Sequence, residues 1–214
     1  LSMSVLWRNA SVFPKLLSSP SFKLAFSHLF IEDYDHNIKD FLDEKIKNKK
    51  KIPFRGPINK KSLGSNEEGL REIIINDKYG YKNPNYVYEK KIDLMLLGDS
   101  FAEGMPFGNI NDITGVIRKN SNLNVINYGV SGTGPLLSLA VLKEYGKIFK
   151  PNKVYYLFYE GNDLADMMNE RNTFLKNYLN NDYTQNLFEA RDEIKIFLND
   201  YEKIFYNILP KRIK

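Results

Sequence analysis

The chain has 214 residues, 43% of them hydrophobic and 27% charged, which is typical of a soluble globular protein with one sizeable core. It contains no cysteine, which excludes disulfide bonds and cysteine-bound metals. The net charge of +5 lies wholly in residues 1–90 and centres on the lysine-rich run 45–51. A nucleic-acid or anionic-lipid patch is one interpretation of that run, but a solvated loop before Pro53 is favoured, so no nucleic-acid partner is expected.

No apolar run reaches the length of a membrane span. Because the chain starts at Leu1 and not at methionine, an upstream signal or anchor would leave no trace in it. The sequence therefore leaves open a cytoplasmic, a periplasmic or a membrane-anchored location. It leaves the oligomeric state open too, since 14 Tyr and 14 Phe suit either an exposed apolar patch or a well-filled interior.

Residues 1–90 are predicted to form an N-terminal extension of loops and short elements. Helices are expected over residues 20–30 and 40–46. Residues 52–90 are dense in proline and glycine, which predicts turns. One strand is expected there, over residues 71–76, as a candidate fourth member of the sheet that follows.

The pattern becomes regular from residue 91, and we predict one α/β domain over residues 91–214. The expected order is strand 92–97, helix 112–119, strand 123–128, helix 135–149 and strand 154–159. This alternation predicts a parallel sheet with right-handed crossovers. Apolar residues then recur at helical spacing over residues 184–209, and the mixed charge of the polar face favours a helix packed on the domain over a membrane-surface or partner helix.

Three short motifs follow the three strands, at the edge where parallel sheets bind ligands. They are Gly98-Asp99-Ser100, Asn127-Tyr128-Gly129 and Gly161-Asn162-Asp163. Ser100 can act as a nucleophile, and its own N–H, the Gly129 N–H and the Asn162 carboxamide can surround the oxyanion that forms. Each motif alone also fits a simpler role, respectively a helix cap, a turn and an Asx turn. Their shared position after consecutive strands favours a site.

These motifs resemble the first three sequence blocks of the SGNH hydrolases, also called GDSL-type esterases and lipases. The resemblance covers residues 91–168 and implies a three-layer α/β/α sandwich with a parallel, flavodoxin-like sheet. It also implies a Ser100 nucleophile, with Ser100, Gly129 and Asn162 as oxyanion donors. Residues 76–82 resemble a stretch that precedes the first block in bacterial members linked to cell-surface polysaccharides.

The chain departs from the family pattern in two places. Glu160 occupies a position of the third block that is usually glycine. The fourth block, an Asp-x-x-His that supplies the general base near the C-terminus, is missing, because the two histidines, His28 and His36, lie far upstream of Ser100. Residues 33–36 do spell Asp-x-x-His, but their place in the chain argues against that role. We expect an incomplete catalytic domain, with a non-catalytic relative as the alternative, because the predicted sheet has few strands.

Together these observations predict a serine esterase that hydrolyses acyl esters through an acyl-serine intermediate. The expected substrate is a small-molecule or carbohydrate acyl ester, with O-acetyl carbohydrates as the favoured class. A non-catalytic SGNH-like binding module and a carbohydrate O-acyltransferase are the alternatives. No metal or cofactor is expected.

Overall fold

The computed structural model of the chain describes residues 51–56, 58–63, 73–104, 107–196 and 198–199. The helices predicted over residues 20–30 and 40–46, the lysine run up to residue 50 and both histidines lie outside these residues. The part of the predicted C-terminal helix beyond residue 199 lies outside them as well.

The first two strands form a small antiparallel pair that is separate from the main sheet. β1 (Lys61–Leu63) pairs with β2 (Ile73–Ile75), and Ser62 lies opposite Ile74. The strand predicted over residues 71–76 is thus confirmed as a strand, but its candidate membership of the parallel sheet is wrong. Only Ile74 of β2 is buried, so β2 packs inward on one face.

A parallel sheet of three strands lies at the centre of the described residues and is flanked by helices. Its strands are β3 (Leu94–Gly98), β4 (Val125–Asn127) and β5 (Lys153–Leu157), in the spatial order β4-β3-β5. The three predicted strands are confirmed, and their ends differ from prediction by one or two residues. β3 is buried along its whole length, as expected for the central strand of a sheet covered on both faces.

Helices connect these strands and confirm the mixed α/β class. α1 (Ser100–Glu103) follows β3 directly, and α2 (Ile113–Asn120) leads into β4. α3 (Pro135–Val141) has proline in its first turn, where the missing N–H costs nothing. After a π-helical turn, Leu142–Gly146, the chain continues as α4 (Lys147–Phe149), and α5 (Asp163–Glu170) follows β5. Short 3-10 helices span Asn85–Glu89 and Phe174–Leu179.

The helix predicted over residues 184–209 begins later than expected, at residue 191. The buried carboxylate of Glu144 explains the delay, because it accepts hydrogen bonds from the N–H groups of Gln185 at 2.5 Å and Leu187 at 2.8 Å. These bonds hold the chain in a non-helical conformation there. Leu187 and Ile194 are buried, so the apolar stripe packs on the domain as predicted.

The apolar core draws on residues from both sides of the predicted domain boundary at residue 90. Phe54, Tyr81 and Val87 pack in one cluster with Met95 of β3 and Ile126 of β4. That boundary itself stays a prediction. The ring of Tyr79 lies 4.9 to 5.9 Å from four other rings, namely those of Tyr88, Tyr145, Phe149 and Phe188. Many of the aromatic side chains therefore fill the interior.

Side chains form hydrogen bonds with the backbone groups of β4 that face away from β3. The Nδ2 of Asn83 donates to the Asn127 carbonyl at 2.8 Å, and the Asn127 N–H donates to Oδ1 of Asn83 at 2.7 Å. Arg118 donates to the Val125 carbonyl at 2.8 Å. Asn83 is held in turn by Asp77, whose carboxylate accepts from it at 3.0 Å. Burial raises the pKa of Asp77 to about 6, although its hydrogen bonds lower it.

Candidate active site

Ser100 occupies the first position of α1, immediately after the turn that ends β3. Asp99 is the N-cap, and its Oδ1 accepts a hydrogen bond from the Phe101 N–H at 2.9 Å. The serine therefore does not cap the helix, which was the simpler explanation of this motif. Gly98 has φ of +142°, a conformation that favours glycine. Ser100 is half-buried, and among the described residues its hydroxyl has no hydrogen-bond partner.

Gly129 lies in the loop after β4 and packs directly on α1. A Cβ at Gly129 would lie 2.4 Å from the backbone nitrogen of Glu103 and 2.6 Å from the carbonyl carbon of Ala102. Glycine is required here because only a bare Cα allows so close an approach. The Gly129 N–H donates to Oδ1 of Asn127 at 2.9 Å, so this amide already has an acceptor within its own loop.

Gly132 is a further candidate donor in the same loop. Its φ is +72°, its position is exposed, and no atom lies within 4 Å of the point where a Cβ would stand. Among the described residues the Gly132 N–H donates to no acceptor. The sequence analysis did not select this residue, although the glycine-rich run 129–134 contains the signal that marks it.

Asn162 stands at the N-cap position of α5, but its side chain does not cap the helix. Its Nδ2 donates to Oδ2 of Asp166 at 3.0 Å, which leaves a second amide hydrogen available. The neighbouring Asp163 is buried and accepts from the hydroxyl of Tyr156 at 2.7 Å and from the N–H of Tyr159 at 3.0 Å. Asp163 therefore holds this loop by accepting from a backbone amide.

The loops that carry the three motifs contact one another. The ring of Phe101, next to Ser100, lies 4.4 Å from the ring of Tyr159 in the loop after β5. The loop after β4 reaches α1 through Gly129. It reaches α5 through Gly134, whose N–H donates to the Glu170 carboxylate at 2.7 Å. Three segments far apart in the chain thus meet at the carboxyl edge of the sheet.

Buried charged groups, which the sequence analysis missed, fix α1 in this arrangement. The Glu103 carboxylate forms an ion pair with Arg55 and accepts from the Ser131 N–H at 2.8 Å. The Nζ of Lys82 donates to the carbonyls of Glu103 at 3.3 Å and Gly104 at 3.0 Å. Lys82 belongs to residues 76–82, the stretch that resembles bacterial members linked to cell-surface polysaccharides. Glu103 gave no sequence signal other than its place in the segment from Gly98 to Gly104.

Acidic side chains dominate the β5 side of the site. Burial raises the pKa of Asp166, and the nearby carboxylates of Asp163 and Asp99 raise it further. Three buried oxygens here, Oδ2 of Asp99, Oδ1 of Asn162 and Oδ1 of Asp163, have no protein donor among the described residues. This side of the site is therefore rich in hydrogen-bond acceptors.

The described residues hold no histidine and no group of three or more His, Asp or Glu side chains arranged to bind a metal ion. Within the same residues no helix is both long and apolar enough to cross a membrane. No protein-family model, curated protein or solved structure matches the chain. Only the local geometry of the three loops therefore indicates a function.

Proposed function

We propose that this chain is a serine esterase of the SGNH type, built on a three-layer α/β/α sandwich with a flavodoxin-like sheet. One observation carries the proposal: the three motif-bearing loops are in mutual contact at the carboxyl edge of a parallel sheet. In open parallel sheets this edge is where ligands bind. The Ser100 hydroxyl, which has no partner among the described residues, supplies the nucleophile in this proposal.

The proposed reaction is hydrolysis of an acyl ester in two steps. The Oγ of Ser100 attacks the ester carbonyl carbon, its proton passes to a general base, and the alcohol leaves with a proton while an acyl-serine ester forms. Water then attacks the acyl-serine, which releases the carboxylic acid and restores the Ser100 hydroxyl. Histidine is the usual base, and His28 and His36 both lie outside the described residues.

The negative charge of each tetrahedral intermediate needs hydrogen-bond donors, each worth about 2.7–4 kcal/mol. The Ser100 N–H and the free amide hydrogen of Asn162 are two proposed donors. The Gly129 N–H becomes a third only if its bond to Asn127 opens. The Gly132 N–H is already without an acceptor among the described residues and is the alternative third donor.

The proposed substrate is a small-molecule or carbohydrate acyl ester, with O-acetyl groups on carbohydrate as the favoured class. The test is turnover of p-nitrophenyl acetate by the full-length protein, together with covalent labelling by a fluorophosphonate. Turnover and labelling should both disappear in Ser100→Ala and persist in the control Ser121→Ala, since among the described residues the Ser121 hydroxyl bonds only to the last turn of α2 and to the exposed turn that follows it. Undiminished turnover in Ser100→Ala would reject the assignment.

Two alternatives give different results in the same assay. An acyltransferase transfers the acetyl group to a sugar hydroxyl in preference to water, which an added carbohydrate acceptor reveals. A binding module retains carbohydrate but shows neither turnover nor labelling of Ser100.

A further inference from the structure

Residues 76–83 form a turn that contains no residue of the three motifs, and we call it the 76–83 turn. Asp77 closes it, because its Oδ1 accepts hydrogen bonds from the N–H groups of Tyr79 at 2.8 Å and Tyr81 at 2.9 Å. Gly80 has φ of +86°, in the left-handed region that favours glycine. Asp77 is buried, so the turn is part of the interior and its conformation is fixed by its own residues.

Two adjacent side chains of the 76–83 turn hold two different parts of the proposed site. The Nζ of Lys82 donates to the two carbonyls at the end of α1 and to the carbonyl of Phe107. The next residue, Asn83, bonds both the N–H and the carbonyl of Asn127, the last residue of β4. The turn therefore fixes α1 and the end of β4 relative to each other.

The side chain of Asn127 links the same two parts directly. Its Nδ2 donates to the Ala102 carbonyl of α1 at 2.8 Å, and its Oδ1 accepts from the Gly129 N–H at 2.9 Å. The helix that carries the proposed nucleophile and the loop after β4 are thus joined twice, once through this carboxamide and once through the 76–83 turn.

α1 depends on such outside support because it has only four residues, too few for a helix to be stable by itself. The peptide group between Glu103 and Gly104 shows how the support reaches the nucleophile. Its carbonyl accepts from Nζ of Lys82 at 3.3 Å, and its N–H donates to the carbonyl of Ser100 at 2.9 Å. Lys82 therefore holds one side of a peptide group whose other side holds the backbone of Ser100.

We propose that Lys82 and Asn83 are positioning residues for the reaction of Ser100. Through them, the 76–83 turn sets the distance and orientation of the nucleophile relative to the loop of Gly129. Neither side chain contacts the substrate, since each acts through α1 or β4. An ammonium group suits this role because its three donors diverge, whereas a guanidinium donates in one plane. This inference rests on the proposed esterase function.

Steady-state kinetics of the full-length protein on p-nitrophenyl acetate test the proposal, with labelling to completion by a fluorophosphonate to count the competent sites. Lys82→Arg keeps the charge but changes the donor geometry, so kcat per labelled site should fall about 10–100-fold while KM is unchanged. Asn83→Ala should give the same result, and it tests the turn even if Lys82→Arg does not fold. Destabilisation alone would lower the number of labelled sites and leave kcat per site unchanged.

Glu144→Gln is the control for destabilisation. Glu144 is buried, and its carboxylate accepts hydrogen bonds from residues within 178–187, none of which belongs to a motif. This variant should lose stability but keep the wild-type kcat per labelled site. Wild-type kcat per site in both Lys82→Arg and Asn83→Ala, or an equal loss in Glu144→Gln, would overturn this inference and leave the esterase assignment standing. A wild-type chain with neither turnover nor labelling would instead reject the assignment, and this inference with it.

Discussion

The carboxylate of Glu103 accepts hydrogen bonds from both the N–H and the hydroxyl of Ser131, at 2.8 Å and 2.5 Å. Glu103 is the last residue of α1, and Ser100 is the first. One buried side chain thus joins the helix of the proposed nucleophile to the loop after β4. The geometry of the site depends on this contact as much as on the three motifs.

Glu103→Ala should lower the free energy of unfolding by about 3–5 kcal/mol, because it removes one partner of a buried ion pair. Arg55 would lose its carboxylate while its side chain is only 11% exposed, and Ser131 would lose its acceptor. Urea denaturation measures the change. Glu160→Ala, at an exposed position, is the control and should change stability by less than about 0.5 kcal/mol. Equal effects in the two variants would show that the contact adds no stability.

Lys82→Met should be destabilising by a similar amount, about 3–5 kcal/mol, since it leaves buried acceptors without their donor. The Nζ of Lys82 lies 3.5 Å from the Asp112 carboxylate, and the lysine side chain is 1% exposed. Burial lowers the pKa of Lys82, while the carboxylates of Asp112 and Glu103 raise it. Lys143→Met is the matched control, because Lys143 donates to a carbonyl at an exposed site. Comparable denaturation midpoints for both variants would contradict this prediction.

Gly129→Ala should push α1 away from the loop and destabilise the fold by about 1–3 kcal/mol, as overpacking does. A double-mutant cycle with Glu103→Ala should then show strong non-additivity, because both changes loosen the same contact. A Cβ at Gly146, in the π-helical turn after α3, would meet only the Leu142 side chain, so Gly146→Ala should combine additively with Glu103→Ala. Additive behaviour of Gly129→Ala as well would mean that Gly129 does not support the contact.

Glu170 should make stability depend on pH. Burial raises its pKa from 4.5 to about 7, and hydrogen bonds from the Gly134 and Leu136 N–H groups only partly offset this. The protonated form is thus favoured in the folded state. Protonated Glu170 therefore adds about 3 kcal/mol to the free energy of unfolding. This stabilisation is complete below pH 4.5 and is lost as the pH rises to about 7.

Urea denaturation between those pH values measures this contribution. Glu170→Gln should show a correspondingly flatter profile than the wild-type chain. Asp77 contributes with the same sign, so the comparison must be made between variants and not on the wild-type curve alone. Glu189→Gln, at an exposed position, should keep the wild-type pH dependence. A Glu170→Gln profile parallel to the wild-type profile would refute the prediction.

The elements that place the motifs were predictable because their signals are local. Apolar runs that stop before Gly98 and Gly129 predicted β3 and β4, and the three motifs fall at strand ends as expected. The supports of α1 were not predictable, since Lys82 lies 21 residues before Glu103 and Arg55 lies 48 before it. A charged residue in a turn resembles a solvated one until the fold buries it.

The sequence also did not reveal that the side chains of β5 are exposed to solvent among the described residues. Aromatic and β-branched residues in β5 predict a strand, but they do not indicate whether another strand covers its free edge. The late start of the helix at residue 191 has a similar origin. It depends on Glu144, a residue some forty positions away whose carboxylate binds the chain before the helix begins.

The bonds between Asn83 and Asn127 make the two sides of the central sheet unequal. A carboxamide has the same donor and acceptor pair as a peptide group, so Asn83 imitates one residue of a neighbouring strand. Arg118 does the same for the Val125 carbonyl. Any strand added to this sheet would have to displace those side chains on one flank, whereas on the opposite flank no described residue bonds to the outward amides and carbonyls of β5. Among the described residues, the two edges of the sheet therefore differ in how readily a further strand could pair with them. The side chains of Asn83 and Arg118, which belong to no strand, cause the difference.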